Sequence, residues 1–165
     1  GLFALHCAAA GAKSVLGIDS SRPALERARE NHRRNAPLKD VTFREARVED
    51  VVRAFGREEE RFDLIILDPP ALVKSRKTLD EGVRKYVTMN ASAMRLLAPG
   101  GTLATATCSH HVDAPAFLDL LRTAAKMAGA RFRLVEVMGQ SRDHPVLLAA
   151  RETSYLTMAI AERIR

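Results

Sequence analysis

Apolar positions along the chain alternate between helix-like and strand-like spacing. Leu2, Phe3, Leu5 and Ala9 lie on one stripe of a helix read over residues 1–10, and Gly11 stops it. Residues 14–18 form a short apolar strand that ends in Asp19. Ser20 or Ser21 caps the next helix, with Pro23 in its first turn, and that helix runs to Asn35. Val41–Glu45 is a strand and residues 48–56 a short helix. Phe62–Leu67 is almost continuously apolar, the pattern of a strand covered on both faces. Asp68-Pro69-Pro70 ends it, because two prolines cannot extend a ladder. A basic loop with Lys74, Arg76 and Lys77 leads into a helix over 82–97. Pro99-Gly100-Gly101 turns into a strand over 102–106, and Ala114–Ala128 is the next helix. A strand over 131–137, a loop-like stretch over 139–150 and a weakly alternating strand over 155–161 complete the order.

Strict alternation of helix and strand predicts an α/β fold, a doubly wound and mostly parallel sheet with helices on both faces. No helix separates the last two strands, so the final one is expected to run antiparallel. Neither an internal repeat nor a linker interrupts the chain, and 165 residues fit a single domain over 1–165. With 47% hydrophobic and 28% charged residues, collagen-like, coiled-coil and disordered classes are excluded. No apolar run approaches the roughly 20 residues of a membrane-crossing helix. No leader pattern is visible, and two cysteines make no disulfide framework, so a reduced cytoplasm is the expected compartment. The net charge of +6, with arginine far outnumbering lysine, is compatible with a phosphate polyanion as partner.

In open α/β sheets, ligands bind beyond the carboxyl ends of the strands. Three such ends carry reactive polar groups here. Asp19 is placed to accept bonds from ribose hydroxyls, or simply to help start the following helix. The Asp68-Pro69-Pro70 lip is stiff and offers carbonyls to a flat, amino-bearing base, or merely terminates a strand. Cys108, in Thr107-Cys108-Ser109-His110-His111, is either a nucleophile or a buried cysteine that only packs. Cys7, inside an apolar helix, reads as packing alone. Adjacent histidines on an extended segment point apart, so His110 and His111 are not expected to share a metal ion. Asp143-His144-Pro145 is an acid/base pair or a rigid loop. The chain contains no phosphate-cradling P-loop, no Gly-x-Gly-x-x-Gly and no Gly-x-Ser-x-Gly elbow.

Taken together, these segments resemble the class I S-adenosylmethionine-dependent methyltransferases, and more closely the catalytic domain of bacterial large-subunit (23S) rRNA cytosine-C5 methyltransferases. The resemblance rests on Gly1-Leu2-Phe3-Ala4, Val15-Leu16-Gly17-Ile18-Asp19, Leu67-Asp68-Pro69-Pro70 with Lys74, Leu97-Ala98-Pro99-Gly100-Gly101, Thr107-Cys108-Ser109-His110-His111 and Asp143-His144-Pro145-Val146, in that order. It implies a Rossmann-like sheet of seven strands. It implies S-adenosyl-L-methionine as cofactor, held by Gly1, Phe3, Asp19, Ser20, Asp68 and Pro69. It implies Cys108 and Asp68 as catalytic residues, and Pro70, Lys74, Arg76 and His144 on the substrate, with Arg76, Lys74 and Lys77 near phosphates. The implied partner is 23S rRNA, whose target base leaves its stack; a homodimer is left open, and neither metal nor membrane is expected.

The chain departs from the family pattern in three places. Relatives carry a strand and an aromatic-rich segment before Gly1, and an RNA-binding domain further upstream. The chain is therefore expected to be an N-terminally truncated form without the first strand of the sheet. The position of the usual adenine-contacting acid falls at Arg47, with Glu45, Glu49 and Asp50 nearby. Val87 and Thr88, after Tyr86, stand where relatives tend to carry charge. The alternative activities are amino-group methylation of a guanine or adenine of rRNA, which an Asp-Pro-Pro lip also serves, and an inactive remnant that only binds RNA.

Overall fold

The computed structural model describes residues 1–35, 38, 40–57, 60–73 and 75–164. The chain forms two compact units, Gly1–Ala54 and Phe55–Arg165.

In the first unit, helix α1 (Leu2–Ala9) precedes strand β1 (Val15–Asp19), helix α2 (Arg22–Arg34) and strand β2 (Val41–Glu45), and α3 (Val48–Arg57) runs across the boundary into the second. Strands β1 and β2 pair in parallel, from Val15 opposite Val41 to Asp19 opposite Glu45. The Ser21 side chain accepts from the Ala24 amide at 3.4 Å, and Pro23 fits the first turn of α2, where an amide hydrogen is not needed. The Phe43 ring organises this unit. A Cβ on Gly17 would stand 2.8 Å from that ring, and one on Gly1 would stand 2.4 Å from the Ala28 Cβ. Ala4 and Leu5 form the buried face of α1, while Leu2 and Phe3 are 66% and 50% exposed. The expected stripe of Leu2, Phe3, Leu5 and Ala9 is therefore not the buried one. Four consecutive apolar residues carry no periodicity that could choose a face.

In the second unit, β3 (Phe62–Leu67), α4 (Leu79–Leu96), β4 (Leu97–Thr107), α5 (Ala114–Ala128), β5 (Phe132–Met138) and β6 (Thr157–Arg163) follow in order. Their sheet has the order β3-β4-β6-β5. β3 and β4 are parallel, and β6 runs antiparallel to both β4 and β5, as the missing helix before it predicts. Helices α4 and α5 bury their facing sides, where Tyr86 and Phe117 meet edge to face with ring centroids 6.1 Å apart. Asp113 caps α5 by accepting from the Ala116 amide at 2.9 Å, and Gly129 ends it in the left-handed conformation at φ +67.

The fully covered strand is β4, buried without a break from Leu103 to Thr107. β3 has only β4 as a strand partner among the described residues, and Leu64 in it is 45% exposed. An apolar run thus marks a strand near the core without saying which one has neighbours on both sides. β4 also starts earlier than the expected 102–106. Leu97 already pairs with Phe62, and the pairing then skips to Leu64 opposite Thr102. Pro99-Gly100-Gly101 takes up the difference as an irregularity, with Gly100 at φ +84. A Cβ on Gly101 would come within 3.0 Å of the Phe62 carbonyl oxygen.

Gly82, in the first turn of α4, is close-packed against the loop after Pro70. A Cβ there would lie 2.4 Å from Val73 Cγ2 and 2.6 Å from the Leu72 carbonyl oxygen. The backbone contact cannot swing away. Gly82→Ala is expected to destabilise the fold by about 1–3 kcal/mol, read as a lower midpoint in chemical denaturation with an unchanged slope.

Candidate functional site at the ends of two parallel strands

Because β3 and β4 are parallel, with Leu67 opposite Thr105, their carboxyl ends leave the sheet on the same side. Asp68-Pro69-Pro70 follows the first strand and Cys108 the second. Asp68 and Pro70 are exposed and Pro69 is buried between them. Cys108 is a half-buried free thiol, and its Sγ lies 3.9 Å from the Pro69 carbonyl oxygen, a long S–H to oxygen contact. The structure therefore brings together the cysteine and the proline lip that the sequence singles out separately.

The thiol points this way because its neighbours point the other way. Side chains on an extended segment alternate between faces. Thr105, Thr107 and Ser109 lie on one face and are buried, while Ala104 and Ala106 share the parity of Cys108. The three hydroxyls meet a matching row on α4, where Tyr86 and Asn90 stand one turn apart. The Thr105 hydroxyl donates to Asn90 Oδ1 at 2.8 Å, and Asn90 Nδ2 donates to the Tyr86 carbonyl at 2.9 Å. The Thr107 hydroxyl donates to Tyr86 Oη at 2.9 Å, and Tyr86 Oη is 2.9 Å from Ser109 Oγ. The loop after the prolines joins the same network, with the Val73 amide donating to Ser109 Oγ at 3.1 Å and the Leu72 amide to Tyr86 Oη at 3.4 Å. Sequence reading missed this polar ladder. Its signal was present as polar residues at every second position of a strand and at i, i+4 of the preceding helix.

In the first unit, Asp19 stands exposed at the carboxyl end of β1, where a ribose-binding acid is expected, and its Oδ1 accepts from the Ser21 amide at 2.8 Å. It therefore also supports the start of α2. Ser20, between these two residues, is exposed, as are Gly1 and Phe3.

Lys74 lies outside the described residues. Arg76 opens a single 3-10 turn, Arg76–Thr78, and Lys77 in that turn is exposed. His144 is exposed, 3.7 Å from Asp143 and edge to face with Tyr155, with ring centroids 6.3 Å apart. These partners lie in its own part of the chain, away in sequence from the proline lip and Cys108. The Ser141 hydroxyl donates to Asp143 and, with the Asp143 amide, holds that carboxyl below its ordinary value. His110 and His111 occupy a turn rather than an extended segment, with ring centroids 5.5 Å apart. Strand alternation therefore does not send the two rings to opposite sides. Among the described residues, no three His, Cys, Asp or Glu side chains are placed to hold a metal ion, and no helix is long and apolar enough to cross a membrane.

A family model for methyltransferase domains matches residues 2–151, across both units. The chain belongs to this methyltransferase domain family. A ribosomal RNA large subunit methyltransferase I from Shewanella amazonensis is 39% identical over 162 residues, which is 98% of this chain and 41% of that protein. The chain thus spans about two fifths of the length of such curated relatives. Solved structures share the fold. A Streptococcus mutans protein described as a SAM-dependent methyltransferase superposes with a TM-score of 0.78 at 16% identity, covering 92% of this chain and 39% of that one. The N-methyltransferase NodS from Bradyrhizobium japonicum, in complex with S-adenosylhomocysteine, superposes with a TM-score of 0.51 at 18% identity, covering 93% and 68%. The Rossmann-like class and the S-adenosylmethionine dependence expected from the resemblance are those of the family.

Asn90 is wholly buried, and it is the acceptor that satisfies Thr105. Asn90→Ala strands that hydroxyl, and is expected to cost about 1–3 kcal/mol of unfolding free energy in a denaturant titration.

Proposed function

We propose that residues 1–165 form the catalytic domain of a 23S rRNA methyltransferase, and that the domain makes 5-methylcytosine through a transient bond from Cys108 to the base. The observation that carries this reading is the Cys108 thiol, 3.9 Å from the Pro69 carbonyl, at the strand end beside an Asp-Pro-Pro lip. The rRNA part rests on relatives such as the Shewanella protein, 39% identical and named as a large-subunit rRNA methyltransferase.

The chemistry needs a strong nucleophile at this position. Carbon 5 of cytosine does not take a methyl group unaided. Attack of the Cys108 thiolate on carbon 6 pushes the ring electrons toward carbon 5 and makes it enamine-like. Bound S-adenosylmethionine supplies an electrophilic methyl on sulfur. Once carbon 5 carries the methyl, a base removes its proton, the carbon–sulfur bond breaks, and the electron pair returns to sulfur as the thiolate. Methylated cytosine, S-adenosylhomocysteine and one proton balance the step. Asp68, exposed at the end of β3, is assigned with Pro69 and Pro70 to hold the flipped base, and Asp68 and Pro69 also to the methyl-bearing end of the cofactor. Asp19 and Ser20 are assigned to its ribose, and Gly1 and Phe3 to its remaining contacts. Lys74, Arg76 and His144 are assigned to the RNA.

Two measurements test the reading. At 100 times its dissociation constant, S-adenosylhomocysteine adds about 2.7 kcal/mol, so the melting midpoint is expected to rise by roughly 5–10 °C. A cooperative melt that does not move would leave the RNA-binding remnant as the better account. The second test incubates the chain with cofactor and a large-subunit rRNA transcript carrying 5-fluorocytidine. A denaturation-resistant protein–RNA adduct is expected, and it disappears in Cys108→Ala. Full methyl transfer by Cys108→Ala on the unmodified transcript would instead establish the amino-group reaction.

A further inference from the structure

Tyr86 is a phenol with no solvent exposure, and it takes no part in the chemistry above. Its hydroxyl nevertheless faces three groups from two segments that flank the candidate site. The Thr107 hydroxyl and the Leu72 amide both donate to it, which occupies both lone pairs. Its own proton is then directed to Ser109 Oγ, which also accepts from the Val73 amide. Ser109 closes the ring by donating its amide to Thr107 Oγ1 at 3.2 Å. The residues immediately before and after Cys108 are thus both tied to one oxygen, and so is the loop that follows the proline lip.

We infer that the Tyr86 hydroxyl is the positioning group that holds Cys108 against the Pro69 carbonyl. It fixes both neighbours of the cysteine on the inner face, so the thiol is left on the outer face. Through Leu72 directly, and through Ser109 to Val73, it fixes the loop that follows the lip against which that thiol rests. A tyrosine ring packed only for volume needs none of these bonds, and phenylalanine would serve as well on Phe117. As a statement about catalysis the inference rests on the cytosine-C5 reading; as a statement about the thiol's placement it does not.

The test compares the full chain with Tyr86→Phe. Both proteins are treated with iodoacetamide, and carboxamidomethylation of Cys108 and of Cys7 is followed peptide by peptide. Alkylation needs neither RNA nor cofactor. Cys7, in the other unit, is the internal reference for general loosening. Tyr86→Phe is expected to melt cooperatively and to alkylate Cys108 about fivefold faster than the parent, with Cys7 unchanged. In methyl transfer to a large-subunit rRNA transcript, kcat is expected to fall about tenfold while KM for the transcript and for S-adenosylmethionine stays the same. Equal alkylation of Cys108 in the two proteins overturns the inference, as does an equal acceleration at both cysteines. Faster alkylation of Cys108 alone, together with full methyl transfer by Cys108→Ala, keeps the positioning role and ends the cytosine-C5 reading. If Tyr86→Phe does not melt cooperatively, Thr107→Val removes one bond at constant volume and is judged by the same alkylation ratio.

Discussion

The parallel pairing of β3 with β4 is the constraint from which the candidate site follows. Leu67 lies opposite Thr105, so both strands finish at the same level and in the same direction. An antiparallel pair would send the two ends to opposite sides of the sheet and separate the proline lip from the thiol. Parallel strands need a crossover, and α4 is that crossover. The helix that makes the pairing possible also carries Tyr86 and Asn90, which hold β4 from its inner face. One connection thus sets the relative position of Asp68 and Cys108 and supplies the groups that keep it.

A polar row buried between a helix and a strand costs stability unless every member has a partner. Here the bonds run from Thr105 through Asn90 to Tyr86, and from Tyr86 to Thr107 and Ser109, and no described buried side-chain polar atom lacks a partner. Apolar residues at these positions would satisfy burial equally well. They would leave the strand end and the following loop free to slide, because apolar contacts have little directional preference. The first unit meets a comparable demand with shape. Gly1 and Gly17 leave room for Phe43, and the Asp19 backbone is fixed by Ser21 and Ala46 amides donating to its side chain and carbonyl.

Much of the fold was legible in the sequence for identifiable reasons. β2, β3 and α5 have the bounds expected from their apolar patterns, and Ser21 caps α2 with Pro23 in its first turn as expected. The antiparallel β6 follows from the missing helix before it. The errors arise where a pattern is local and the outcome is not. The buried face of α1, the exposure of Leu64 and the early start of β4 all depend on which element packs alongside. The meeting of Cys108 with Pro69 was foreseen only as two ends on one side of a sheet. The Tyr86 ladder went unread because each of its polar residues is unremarkable alone, and only the matched spacing of helix and strand reveals it.

The ladder also makes the chain sensitive to the parity of its own length. From Thr102 onward β4 keeps strict register with both β3 and β6, so each residue up to Thr107 has an assigned face. Inserting or deleting one residue in this stretch would exchange faces, bringing a hydroxyl to the lip and the thiol into the helix interface. A change of two residues would preserve the faces but shift Cys108 along the strand by about 7 Å, past the lip altogether. Neither odd nor even length changes are tolerable there. The irregular turn at Pro99-Gly100-Gly101, upstream of the strict register, is where this strand can absorb variation in length without moving the thiol.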